Sequence, residues 1–369
     1  MSERVVPQNS DGAPVTGLAE LLAHLTELHE PGNESAPLNN KLFDDVELQL
    51  TPSNIPIIQP TLLPPLMSLL KTTTQDPTSL SVVFSLTTKL LSPFSFTQCL
   101  SLGGAESLVS ALQSPLPGAN LLALNIIQKA ASSPAEVDSL ASLPEVVEEL
   151  LRIWLGSPDA DVGGRSTRVL GSLLETDCDI IPETNMSNGV SGTSPAETQL
   201  IKRRIPGHAS LWRLVIWDRH YLELIVSLCR PAIINRQATF AQDRLLRLIP
   251  RLTALHPRAM AISPFPDLFP LPEYADESIG HGLLQWAALS MVDTSDVLMH
   301  QTLIVFYESF VSIMRIAGDS ADKDAIVRNV VKAATSQDQE LKQALRTLPD
   351  RTIQEEAEPL ARYISRILD

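Results

Sequence analysis

The residues able to do chemistry in this 369-residue chain are few, and their spacing does not suit them to it. Seven histidines are scattered, and the closest early pair, His24 and His29, is five apart. Two metal ligands on one helix face need a separation of three or four. No His-Glu-x-x-His run occurs. Cys99, Cys178 and Cys229 form no Cys-x-x-Cys pair, which argues against a zinc site or a disulfide framework and for a reducing compartment, cytoplasmic or nuclear. The glycine-rich loops that cradle phosphate are missing, as is the Gly-x-Ser-x-Gly turn that presents a nucleophile. Gly103-Gly104 is a lone pair after an apolar run and reads as a helix end or inter-helix turn. The expectation is a protein with no catalytic activity, metal, cofactor or small-molecule ligand.

What remains is binding. Between Gly207 and Phe310, Leu, Ile and Val recur at steps of three and four, the spacing of successive amphipathic helices. Arg244, Arg247 and Arg251 are interleaved there with Leu245, Leu248 and Leu252, so one helix carries a basic stripe beside an apolar one. Residues 202–258 hold eleven Lys/Arg against three acids, although the whole chain carries a net charge of −15. One reading is a basic patch able to dock an acidic protein surface. The other is ordinary solvation and stem packing of helix-surface arginines. Trp212 and Trp217 are five apart and so on different faces; core positions are expected for both, with an interface anchor as the alternative. Lys202-Arg203-Arg204 is too short for a nucleic-acid patch, and the acidic chain as a whole argues against nucleic acid.

These residues need a scaffold, and the composition points to helices. Hydrophobic residues make up 44% and aromatics only 5%, so the core is aliphatic, while 28 prolines suit many short helices rather than a few long ones. Three segments, each running helix, Pro-marked turn, helix, place Pro77, Pro115 and Pro158 about 40 residues apart, the period of armadillo and HEAT arrays. An all-α armadillo/HEAT-like helical repeat solenoid, a superhelix of stacked units, is the expected fold. Its parts are expected to be a disordered tail (1–15), N-terminal repeats (16–177), a flexible loop (178–197), central repeats (198–317) and C-terminal capping helices (318–369). The first helix, carrying Leu18, Leu21, Leu22, Leu25 and Leu28, should be capped by Thr16, the next should span 42–50, and Pro52, Pro56 and Pro60 should lie before the third. No apolar run approaches the 18 residues of a membrane span, and the amino terminus lacks the apolar stretch of a secretion signal, so no membrane is expected.

The central block also resembles a known family. Gly207-His208, Leu211-Trp212-Arg213 and Asp218 carry the likeness, followed by Ala241, Arg244-Leu245-Leu246, Leu248 and Pro250-Arg251-Leu252. The likeness continues through Gly282-Leu283-Leu284, Ala287-Ala288-Leu289, Met291-Val292-Asp293, Asp296 to His300, Thr302-Leu303-Ile304 and Phe306. Together they are similar to the fungal proteasome base-assembly chaperones, often titled DNA mismatch repair protein, with the animal 26S non-ATPase regulatory subunit 5 as a distant relative. The stretch Val215 to Leu222 departs from the more basic sequence expected there, and the chain is shorter than the resemblance implies. That resemblance implies a non-enzymatic, C-shaped solenoid whose concave surface holds the C-terminal domain of one proteasomal ATPase subunit. Trp212, Arg213, Arg244, Arg247, Arg251, Asp296 and His300 are the candidate contacts, and charge reversal at Arg244 and Arg251 should weaken binding without unfolding the chain. The alternatives are a generic armadillo adaptor, of the Hsp70 co-chaperone sort, and a DNA mismatch-repair accessory factor. An import receptor is disfavoured, because none of the four tryptophans has Asn four residues on.

Overall fold

The structure, a computed structural model, describes residues 15–30, 36–72, 80–180, 206–230, 236–276, 279–317 and 320–369. Among these residues there are eighteen α-helices and no strand. The chain is helical because its apolar residues recur at helical spacing and most of its described prolines fall between helices or in their first turns. Most of the expected tail, the 178–197 loop beyond Ile180, Pro77 and Lys202-Arg203-Arg204 lie outside the described residues. Two compact units are present, residues 1–129 and 130–369, so their boundary falls within the stretch read as one N-terminal array.

The first unit contains α1 (Leu18–Leu28), α2 (Asn40–Leu48), α3 (Ile55–Thr72), α4 (Ser81–Leu90), α5 (Phe96–Gln113) and α6 (Pro117–Gln128). Leu21, Leu25, Phe43, Val46, Leu62, Leu66 and Leu86 form the centre of its aliphatic core. Three local expectations change. Gly17, at φ +82°, takes the N-cap position instead of Thr16, whose N–H donates to the Gln49 side chain. The second helix starts at Asn40, since the Asn39 side chain accepts from Leu42 N. Pro60 does not break the chain, because α3 runs through it. Gly104, at φ +72°, does interrupt α5, as the glycine pair suggested. Pro115 sits in the α5–α6 turn, where buried Asn120 donates to the carbonyls of Ala111, Leu112 and Ser114 left over at the end of α5.

The second unit begins with α7 (Pro134–Ala141), α8 (Pro144–Gly156), α9 (Ala160–Asp177), α10 (Ser210–Trp217), α11 (Arg219–Cys229) and α12 (Arg236–Leu255). It continues with α13 (Pro257–Ala261), α14 (Leu283–Leu289), α15 (Val297–Ile316), α16 (Ala321–Gln337), α17 (Gln339–Thr347) and α18 (Gln354–Leu368). Helix α12 is the hub of this unit and packs against α8, α9, α11, α13, α14 and α15. Contacts also run in a chain from α9 to α12, α12 to α15 and α15 to α18. By length and composition α15 could cross a membrane, but eight of its side chains, Tyr307 and Phe310 among them, are buried against neighbouring helices, as in a core helix.

Candidate partner-binding site

At 100° per residue, Arg244 and Arg251 leave α12 in nearly the same direction, while Asp243, Arg247 and Pro250 leave it on a neighbouring stripe. The first direction faces α9. Arg244 is buried there, and its guanidinium donates to the carbonyl oxygens of Trp154 (3.0 Å) and Asp159 (3.1 Å). Trp154 O lies in the last turn of α8, where helical carbonyls lack intrahelical donors. Asp159 caps α9 through its side chain, which accepts from Val162 N. Arg244 therefore locks the α8–α9 turn onto α12. Its guanidinium pKa is lowered by burial, against the opposing charges of Asp243 and Asp159, and the group stays charged. Gly163 makes room for it, since a Cβ there would lie 2.1 Å from the guanidinium carbon.

Arg251 is half-exposed and pairs with Glu175 of α9, against Gly171. Arg247 stands 71% exposed and reaches back to Asp243 at 2.8 Å. Arg219 is likewise committed, to Glu223 at 2.7 Å and Asp267 at 2.6 Å. The broad basic patch expected from residues 202–258 is thus largely taken up by internal partners. Arg244 in particular is not a surface residue, and reversing its charge would bury a carboxylate against two carbonyls rather than probe a partner.

Trp212 is fully buried, its indole donating to Leu174 O at 2.8 Å, which is the core role expected of it. Trp217 is half-buried, edge-on to His256. Asp177, which the sequence reading missed, ends α9 and accepts from the backbone N–H groups of Ser210, Leu211 and Trp212, three orphan donors at the start of α10. Burial raises its carboxyl pKa even against those hydrogen bonds. Gly207 must be glycine, because a Cβ would lie 2.1 Å from the Asp177 carbonyl carbon. Exposed Arg213 donates to His208 O at 2.8 Å, and His208 pairs with Asp138 of α7. Burial works to raise the Asp138 pKa, but hydrogen bonds from Ser210 and His208 and the charges of His208 and Arg213 hold it below its ordinary value.

Asp296 is the N-cap of α15, accepting from Leu298 N at 2.9 Å and Met299 N at 3.2 Å. His300, one turn on, places Nε2 2.6 Å from Oδ2 of Asp338, the N-cap of α17. The structure does not gather the seven candidates into one surface. Trp212 and Arg244 are core, Asp296 and His300 are capping and tying groups, Arg213 braces the entry to α10, and Arg251 bridges to α9. Arg247 lies at a groove between α12 and α15 whose other lining includes Leu246, Pro250, Leu298, Val305 and Phe306, while Arg213 and His300 line two separate depressions. The clue to that groove was in the sequence, since α15 is apolar on more faces than one core contact needs.

Residues 20–158, covering most of α1 through α8, match the family described as DNA mismatch repair protein HSM3, N terminal domain. Over that stretch the chain is similar to this family. The match supports the resemblance from a different part of the chain, because the residues that suggested it lie between Gly207 and Phe306. No match was found among curated proteins.

Proposed function

We propose that the chain is a non-enzymatic assembly chaperone for the base of the 26S proteasome regulatory particle. In this reading an armadillo/HEAT-like solenoid binds the C-terminal domain of one ATPase subunit and delays its docking on the core particle. The observation that carries the reading is the family match over residues 20–158, joined to the resemblance of the central block. Neighbouring helices in the chain α9, α12, α15 and α18 are what stacked repeats would produce, and such an array offers a long preformed surface for reversible binding.

The family's printed description raises a second reading, a DNA-repair accessory role. Phosphate binding along a duplex needs a broad cationic face, whereas the chain carries a net charge of −15 and Arg244 is buried against carbonyls. The deciding experiment is affinity capture of the tagged full chain from native extract, with the bound proteins identified by mass spectrometry. Proteasomal ATPase subunits without the core particle are the expected catch. Hsp70 or repair factors in their place, or salt-sensitive binding to duplex DNA, would overturn the assembly reading.

A further inference from the structure

Helix α15 has more apolar surface than its neighbours cover. Leu298, Thr302, Val305, Ser309, Ser312 and Ile316 follow at steps of four, three, four, three and four, and so form one straight stripe. Its apolar members stand open, Leu298 at 73%, Val305 at 58% and Ile316 at 73% exposure. Beside the stripe lies a groove of about 360 Å³, with buried Leu246 and Phe306 in its lining and Asp243, Arg247 and Pro250 on the α12 side. Phe240 precedes Arg247 by two turns, leaves α12 in nearly the same direction, and adds an exposed ring to that side.

The charges around this face balance. In the groove Arg247 donates its Nε to the Asp243 carboxylate. On the opposite flank of α15, Glu308 pairs with Arg351 and Arg315 with Glu356. The stripe itself has no charged member. Asp293 and Asp296 lie beyond its Leu298 end, where they accept from Ser295 N and from the first N–H groups of α15. An acidic or a basic partner therefore finds no net charge to answer. A second copy of the chain, whose net charge of −15 works against self-association elsewhere, meets no repulsion here.

We infer that this face joins two copies of the chain in an isologous dimer. The stripe reads alike from either end, in its steps and in the branched aliphatic side chain that closes each end. A two-fold axis crossing the groove beside Leu246 and Phe306 lays α15 on α15 and α12 on α12, each pair antiparallel. Leu298 of each copy then meets Ile316 of the other, Thr302 meets Ser312, and Val305 meets Ser309. On α12, Phe240 falls opposite Pro250, and the terminal nitrogens of Arg247 fall opposite Asp243, so two exposed ion pairs become one network across the axis. The stripe is about 27 Å long, and with a second helix about 10 Å away the face covers on the order of 500 Å² per copy. About 1,000 Å² in total is the lower limit of a specific interface, so a weak dimer is expected, with a Kd on the order of 10 µM. The inference goes beyond the assembly reading and does not depend on it.

The test is sedimentation velocity of the full chain from about 1 to about 200 µM, where dimerisation shows as a concentration-dependent shift. A reversible dimer is expected. Val305→Asp sets two carboxylates beside the axis and should weaken it at least roughly tenfold, with the unfolding transition unmoved. Asp243→Arg and Arg247→Asp should each weaken it several-fold, because like charges then face each other. An equimolar mixture of those two variants should form a heterodimer tighter than either variant's own dimer. A mixture no tighter than its components would refute the two-fold arrangement. A chain that stays monomeric, or a dimer indifferent to Val305→Asp, would overturn the inference. So would a monomer in which Val305 governs pelleting with lipid vesicles or capture of another protein, which would give the face to a membrane or to a different partner. A monomer that captures ATPase subunits keeps its proposed function and loses this dimer.

Discussion

Arg244→Ala and Arg247→Ala, three residues apart on α12, should differ in stability by several kcal/mol. The Arg244 guanidinium is buried and donates to Trp154 O and Asp159 O. Truncation leaves two carbonyls without donors and a void where the stem packed. A hydrogen bond to a charged group contributes about 1.5–3 kcal/mol, and water entering the void recovers part of that, so a net loss of about 3–4 kcal/mol is expected. Arg247 makes an exposed pair one turn apart with Asp243, worth about 0.3–0.5 kcal/mol. Trp154, Trp212, Trp217 and Trp286 are all the tryptophans, and all lie in the second unit, so urea unfolding followed by their fluorescence reports that unit alone. Arg244→Ala should lower the urea midpoint without changing the slope, and lower Tm by on the order of 10 °C. Arg247→Ala should be nearly silent, and Arg244→Lys should fall between, because an ammonium lacks the fork that spans two carbonyls. Equal stability of the two alanine variants, or native stability of Arg244→Ala with partner binding lost, would refute the assignment of Arg244 as an internal lock.

Two further outcomes follow from the same contacts. Gly163→Ala in the interior of α9 should gain up to about 1 kcal/mol from helix propensity alone, but its Cβ would meet the Arg244 guanidinium, so a net loss of about 2 kcal/mol is expected. In an Arg244→Ala background the sign should reverse, and an additive double-mutant cycle would disprove the contact. The pH dependence follows from Asp138 and Glu148, both held below their ordinary pKa in the folded chain. In Asp138 burial works the other way and is outweighed by Ser210, His208 and Arg213; in Glu148 hydrogen bonds from Arg152 and His220 lead. A depressed carboxyl stabilises the fold above its unfolded pKa, near 4, and that stability is lost as pH falls through the folded value. The urea midpoint should therefore drop between pH 5 and pH 3, less steeply in Asp138→Asn and Glu148→Gln; unchanged steepness in both variants would rule these pairs out.

The helical class was readable because apolar spacing is a local property, visible within one turn of each residue. Leu21, Leu25 and Leu28 turn inward on α1 as their pattern requires, and the turn at Pro115 falls between two helices. The N-cap of α1 was misjudged because glycine at positive φ competes with a threonine cap, and that choice depends on Gln49, which holds the Thr16 N–H from 33 residues away. The candidate site was readable only as stripes. Steps of three and four identify which side chains share a face of α12 and say nothing of which helix covers that face.

Helical class, an aliphatic core and the lack of motifs that mark a catalytic centre all depend on residue type and near-neighbour spacing, and could be read along the chain. That Arg244 is a lock and Arg247 a surface group, that Asp177 caps a helix 33 residues on, and that α12 and α15 leave an apolar groove between them emerge only when the helices pack. Burial and hydrogen-bond partnership belong to pairs of elements. Gly163 and Arg244 become partners when α9 and α12 pack, and no spacing along the chain encodes that meeting.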